Sequence, residues 1–93
     1  MANKTAALFP SGKIVITRAA QEILFEEDID NAMGRHFSGD WGELCDEDKN
    51  LNDDAIKSGN RLFSAYRSCR GEKFWIITES DRSYTTILLP GDY

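Results

Sequence analysis

The chain has 93 residues, 41% of them hydrophobic and 29% charged, with a formal net charge of −5. That length leaves room for one small core and excludes a second domain, while the composition excludes disordered and fibrous polymers. No apolar run approaches the roughly 18 residues of a membrane span, and residues 1 to 9 lack the apolar centre of a signal peptide, so a cytoplasmic protein without a membrane partner is expected.

Residues 1 to 11 read as a disordered tail ahead of a single domain. Ser11-Gly12 is a turn signal, and Lys13 to Ile16 is β-branched enough for a short strand. Thr17 can cap a helix over Arg18 to Glu26, where Ala20, Ile23 and Leu24 fall on one stripe. A second helix opens near Asp28, carries Ile29, Met33 and Phe37 four apart, and ends at Ser38-Gly39. Two glycines bracket Asp40 and Trp41 in what reads as a shaped loop. A third helix runs from Asp46 to Ser58 with three acids in its first turn, a narrow apolar stripe of Leu51 and Ala55 that Leu44 can extend, and Gly59 just past its end. The period then changes from 3.6 to 2. Leu62 to Cys69, Lys73 to Glu79 and Tyr84 to Leu89 read as a three-stranded antiparallel meander, closed by Pro90. The expected fold is a two-layer α+β domain, about three short helices on that meander, with the short N-terminal strand beside it.

Charge is unevenly laid out. Residues 26 to 54 hold eleven carboxylates against Arg35 and Lys49, a net of −9, while the stretches before and after each carry +2. Such a segment repels nucleic acid and attracts basic surfaces; equally, many of these acids suit solvated helix faces and helix N-termini. Glu43, Asp46, Glu47, Asp48, Asp53 and Asp54 are the candidate partner-binding residues. Cys45 and Cys69 stand at no metal-ligand spacing and read as buried free thiols, so neither a metal site nor a cofactor is expected.

Individual residues carry weaker chemistry. His36 is the single histidine, and with Asp40 and Glu79 it forms the one conceivable acid/base constellation; the alternative is a histidine that staples a helix end to the following loop. Trp41 reads as core, or as an interface anchor flanked by acids. Asp81 and Arg82 suit a local ion pair fixing the last hairpin turn, with recognition as the other role. Tyr66, Trp75 and Tyr84 share a sheet face in a suitable register, with Arg61, Arg67, Lys73 and Arg82 nearby, a platform for single-stranded nucleic acid; alternatively those rings pack beneath the helices, because Phe63, Ala65, Phe74 and Ile76 form the other set.

The strings Arg35-His36-Phe37-Ser38-Gly39-Asp40-Trp41-Gly42, Asn60 to Tyr66, Trp75 to Ser83 and Thr85 to Pro90 resemble the small "plasmid-related" proteins of bacterial mobile elements and genomes. The resemblance covers roughly residues 12 to 93 and rests on the patterns RHxxGDWG and WIITExDRSxTTxLLP. It implies a plasmid- or phage-linked bacterial setting and brings no catalytic residues with it. The expected function is a non-enzymatic interaction protein that docks its acidic helical segment on a basic protein surface, as an inhibitor of a nucleic-acid-handling defence system of the restriction or CRISPR type would. A single-strand nucleic-acid binder using the sheet and a small enzyme around His36 and Asp40 are the readings from other classes.

Overall fold

The computed structural model describes residues 7–93. In chain order the elements are β1 (Lys13–Ile16), α1 (Arg18–Ile23), α2 (Glu26–Phe37), α3 (Asp46–Ser58), β2 (Leu62–Arg67), β3 (Lys73–Thr78), β4 (Tyr84–Leu88) and a 3-10 turn at Pro90–Asp92. The expected α+β class holds, and the sheet differs in one respect. β2, β3 and β4 form the antiparallel meander, while β1 pairs in parallel with β4, giving a mixed four-stranded sheet in the order β1-β4-β3-β2. Alternation alone cannot reveal this, because a strand's own pattern says nothing about its neighbour's direction.

The helices follow their local chemistry. Thr17 caps α1 by accepting from the Ala20 amide, but the helix stops at Ile23 rather than Glu26. Leu24 takes an extended conformation that turns its side chain into the core, and α2 starts afresh at Glu26 with Glu26, Glu27 and Asp28 in its first turn. Asp28 is therefore inside the helix, where its carboxylate accepts from the Cys69 amide instead of capping. α3 begins and ends as expected, with Gly59 in the left-handed conformation (φ +83°) closing it.

Register fixes the two faces of the sheet. Leu62, Ser64, Tyr66, Phe74, Ile76, Thr78, Thr85 and Ile87 point to the helices and are all buried. With Ala20, Leu24 and Ala32, the larger apolar residues of this set form one core cluster; Phe9, Trp41, Ala55 and Leu62 form a second beside β2. Phe63, Trp75, Ile77, Tyr84 and Leu88 face the other way. Two corrections follow. Tyr66 does not share a face with Trp75 and Tyr84, and Phe63 and Ala65 do not share one with Phe74 and Ile76, because β2 is offset by one residue from the register assumed. The tail expected over residues 1 to 11 is also corrected at its end: the Leu8 amide donates to the Phe37 carbonyl at 2.9 Å and Phe9 is buried, while residues 1–6 lie outside the described part.

Both cysteines are exposed, not buried. Cys45 occupies the cap position of α3 and Cys69 the β2–β3 turn, where the alternation that buries side chains no longer applies. Beside Asp28, the Cys69 thiol is held above its ordinary pKa by that carboxylate.

β2 is an edge strand, yet its outer edge is closed. Asn52 of α3 donates from its amide to the Phe63 carbonyl at 2.6 Å and accepts from the Phe63 amide at 3.2 Å, so one side chain substitutes for a residue of a neighbouring strand. Two residues on, the Ala65 amide donates to the Trp41 carbonyl and the Ala65 carbonyl accepts from the Glu43 amide. Gly42 sits between, at φ +76°, where any Cβ would overlap the Ala65 carbonyl oxygen. An edge saturated in this way cannot template another strand. Replacing Asn52 with Ala leaves Phe63 without both partners, and urea denaturation is expected to show a loss of about 1–3 kcal/mol.

Candidate functional site

The most polar part of the interior is a row of hydroxyls crossing the sheet beneath α2. His36, in the last turn of α2, has Nδ1 on the Ser64 hydroxyl and Nε2 on the Thr78 hydroxyl at 2.9 Å. Thr78 continues to Thr85 at 2.8 Å, and Thr85 to the Ser11 carbonyl at 2.8 Å. A carbonyl can only accept, so the proton order of the chain is determined from that end. Thr85 donates to Ser11, Thr78 donates to Thr85, and Nε2–H of His36 donates to Thr78. The chain thereby fixes a proton on Nε2, and Nδ1 is the acceptor for Ser64 when the imidazole is neutral.

Its surroundings enforce that neutral state. The imidazole is fully buried, with the rings of Phe9, Phe37 and Trp41 at 5.2–5.6 Å between centroids. Burial pushes its pKa down from 6.5 to about 3, and the Arg82 guanidinium adds a smaller push in the same direction. His36 therefore neither staples the helix end to the following loop nor meets a carboxylate: it joins α2 to β2 and β3.

Asp40 is held elsewhere. Its carboxylate accepts from Arg35 Nε at 2.8 Å and from the Gly42 amide at 3.3 Å, and the Arg35 guanidinium keeps it below the usual carboxylate range. Both partners of this ion pair are about half exposed, so it contributes at most about 1 kcal/mol. Its main effect is on shape. The Asp40 carbonyl accepts from the Tyr66 hydroxyl at 2.7 Å, and burial pushes that phenol up to about 12. The Gly39–Gly42 segment is thus fastened at both its side-chain and main-chain groups. Trp41 follows as a core residue, 2% exposed, with Nε1–H donating to Asp53 at 2.9 Å.

The β3–β4 turn brings Glu79, Asp81 and Arg82 together without the expected ion pair. Asp81 accepts from the Ser83 amide and faces solvent. Arg82, the single non-glycine residue with positive φ among the described residues (+59°), points inward and donates to three carbonyls, those of Asn60 at 2.7 Å, Glu79 at 3.1 Å and Ala55 at 3.0 Å. Ala55 lies in the last turn of α3, where a cation complements the helix dipole. The guanidinium also stands 5.7 Å from the Phe9 ring. Three carbonyls in fixed positions, two of which also accept a main-chain amide, outcompete one flexible, solvated carboxylate, which is why the turn uses Arg82 and not the pair.

The candidate binding residues are placed differently again. Asp46, Glu47, Asp48, Asp53 and Asp54 are all exposed on α3, whereas Glu43 pairs with Arg67 at the far end of β2. Among the described residues that pair and Arg35–Asp40 are the two ion pairs, so none of the α3 carboxylates has a cation within ion-pair distance. Leu51 is 62% exposed and has Glu47, Asp48 and Asp54 as its helical neighbours. Sequence reasoning missed Leu51, which it assigned to the core stripe. Beside it runs a groove of about 270 Å³ with Leu44, Arg61 and Phe63 in its walls; Arg61 and Phe63 then border a second recess formed with Trp75 and Tyr93. Phe63, Trp75 and Tyr93 meet edge to face at 5.0 and 5.8 Å. Among the described residues no group of three or more His, Cys, Asp and Glu side chains is placed to hold a metal ion, and no helix is long and apolar enough to cross a membrane.

Two expectations follow from this geometry. Between pH 6.5 and about 3 the unfolded chain holds a proton on His36 that the native state refuses, so acidification through that window costs stability, approaching about 1.4 kcal/mol per pH unit, while the full contribution is present above pH 6.5. Denaturation of the wild type and His36→Gln across that range should show the wild type's advantage shrinking as pH falls. At the turn, Arg82→Ala should cost about 2–3 kcal/mol and Arg82→Gly about 1 kcal/mol less, because glycine accepts the positive φ that alanine resists; equal losses would locate the whole effect in the guanidinium.

Comparison with protein-family models, with curated proteins and with solved structures finds no match for this chain.

Proposed function

We propose that this is a non-enzymatic interaction protein whose α3 docks on a basic surface of a protein partner. The observation that carries the reading is Leu51, an apolar side chain standing in solvent among Glu47, Asp48 and Asp54 and next to the groove that leads to Phe63. What supports the reading is that this leucine is continuous with an apolar groove and has a charged rim, the layout of an interface with an apolar centre. Asp46, Glu47, Asp48, Asp53 and Asp54 lie within about 12 Å of helix, three in its first turn and two about 7.5 Å further along the axis, a dense negative field that attracts a basic surface. That field suits a groove built for a nucleic-acid strand, and the partner we favour is a nucleic-acid-handling protein of a cytoplasmic host defence system, in the mobile-element setting that the plasmid-related motifs suggest.

The nucleic-acid-binding alternative is less favoured by the layout: Tyr66 is turned under the helices, and the aromatic residues left on the open face, Phe63, Trp75 and Tyr84, share a chain whose net charge is −5. A catalytic role for His36 would need it to reach substrate, and it is enclosed by aromatic rings with both nitrogens engaged.

The test is capture of partners from nuclease-treated bacterial lysate, then titration of the purified partner. Glu47→Lys, Asp48→Lys and Asp54→Lys are combined; Asp53 is left alone because it holds Trp41. A basic protein should be retained at low salt, bind at least tenfold more weakly at about 0.5 M salt, and be lost with the triple reversal or weakened about tenfold by Leu51→Ala. Retention unchanged by the reversal, or abolished by nuclease alone, overturns the reading.

A further inference from the structure

The two edges of the sheet are treated in opposite ways. β2 is closed by Asn52 and by the Trp41–Glu43 segment, whereas among the described residues the outer edge of β1 has no partner. Lys13 and Thr17 donate inward to the Ser83 and Ile87 carbonyls, which by strand alternation turns the amides and carbonyls of Ile14 and Ile16 outward. Among the described residues nothing bonds to them, and Ile14 is 44% exposed. Two residues thus offer two donors and two acceptors in strand geometry. The protection this edge carries is its four-residue length and Lys13 at its start, whose position on the other face leaves Ile14 and Ile16 uninterrupted by bulge or proline.

A groove of about 330 Å³ opens directly beside this edge, on the helix side of the sheet, with Ile14 and Ile16 on one wall and Leu24, Ile29 and Met33 on the other. The residues of an added strand that lie opposite Ile14 and Ile16 would send their side chains into it. Glu26 and Asp30, both exposed, stand at its rim. We propose that the β1 edge and this groove form a docking site for an extended segment of another protein, which joins the sheet as a fifth strand, sets two alternate apolar side chains in the groove and places flanking Lys or Arg residues on Glu26 and Asp30. Main-chain bonds supply affinity in this mode and the alternate pockets supply specificity.

The charge argues against a second copy of the chain as occupant. In a symmetric pairing of two β1 edges the acidic rims of both grooves meet across the two-fold axis, between chains that each carry a net −5. A basic strand is attracted by the same groups. The site lies at the opposite edge of the sheet from α3 and stands or falls independently of the reading given for that helix.

The probe is an acetylated and amidated heptapeptide of sequence Arg-Thr-Val-Thr-Val-Thr-Arg, whose alternate residues present two valines and two arginines to the groove. Amide hydrogen exchange is followed residue by residue by NMR on the full chain. Exchange of the Ile14 and Ile16 amides should slow at least tenfold on adding peptide, with the Leu51 amide unchanged. Glu26→Lys combined with Asp30→Lys should weaken binding about tenfold, and Ile14→Pro, which removes an outward donor at a position an edge strand tolerates, should abolish the protection; should Ile14→Pro fail to fold, a peptide N-methylated at the nitrogens facing β1 removes the same bonds from the other side. The proposal is overturned by unprotected Ile14 and Ile16 amides at about 1 mM peptide, where binding would be weaker than about −4 kcal/mol. Equal protection by the peptide with Glu in place of Arg also overturns it, as does protection that grows with protein concentration alone alongside sedimentation as a dimer.

Discussion

A neutral histidine in a sheet core is the constraint around which this small fold is arranged. Three strands each place a hydroxyl on the helix side, Ser64, Thr78 and Thr85, at positions where isoleucine or valine would ordinarily give more apolar burial. Unpartnered, each would cost roughly 1–3 kcal/mol; linked through His36 to the Ser11 carbonyl, all are satisfied, and no buried side-chain donor or acceptor among the described residues is left without a partner. The arrangement has one direction. Because it ends on a carbonyl, no hydroxyl can reverse without orphaning another, so the network fixes the rotamers of residues from four elements and ties them to the main chain of the loop before β1. α2 is thereby locked to β2, β3 and β4 by polar groups, while apolar packing supplies most of the energy.

The periphery repeats this economy with main-chain acceptors. Arg82 gathers carbonyls from the end of α3, from the following loop and from its own turn, and Asn52 completes the β2 edge from the side. In both cases a long or forked polar side chain takes the place of a secondary-structure neighbour. Glu43 and Arg67, half exposed at the end of the same edge, contribute little beside these bonds. The carboxylates of α3 stand apart from all this, except for Asp53, whose bond to Trp41 makes it a structural acid within an otherwise solvent-facing row.

Much of the architecture is legible in the sequence, and the gaps have identifiable causes. α3 and the three meander strands follow from acids at a helix start, a glycine at its end and clear alternation thereafter. The break between α1 and α2 carries no glycine, proline or side-chain cap, because the burial of Leu24, a tertiary demand, places it. The direction of β1 and the faces of Tyr66 and Phe63 depend on register, which a one-residue offset inverts. At the candidate site, Trp41 reads correctly as core from size alone. The partners of His36 are serine and threonine residues that look unremarkable in strands, and nothing local distinguishes an inward Thr85 from an outward Thr86 until the register is known. Leu51 reads as core because its neighbours fit a helical stripe; the stripe is narrower than the spacing suggests, since Asn52 and Ala55 occupy the buried line.

The parallel pairing of β1 with β4 also sets the order in which the molecule can be completed. Its paired residues, such as Lys13 and Tyr84, lie about 70 positions apart, and the hydroxyl chain that starts at Ser64 finishes on Ser11. The meander and α3 have local contacts and can form early, whereas β1 has no strand beside it until β4 has been synthesised. Until β4 is present the isoleucines of β1 have no strand to pair with, and their pairing is the contact that joins the stretches of the sheet furthest apart in sequence.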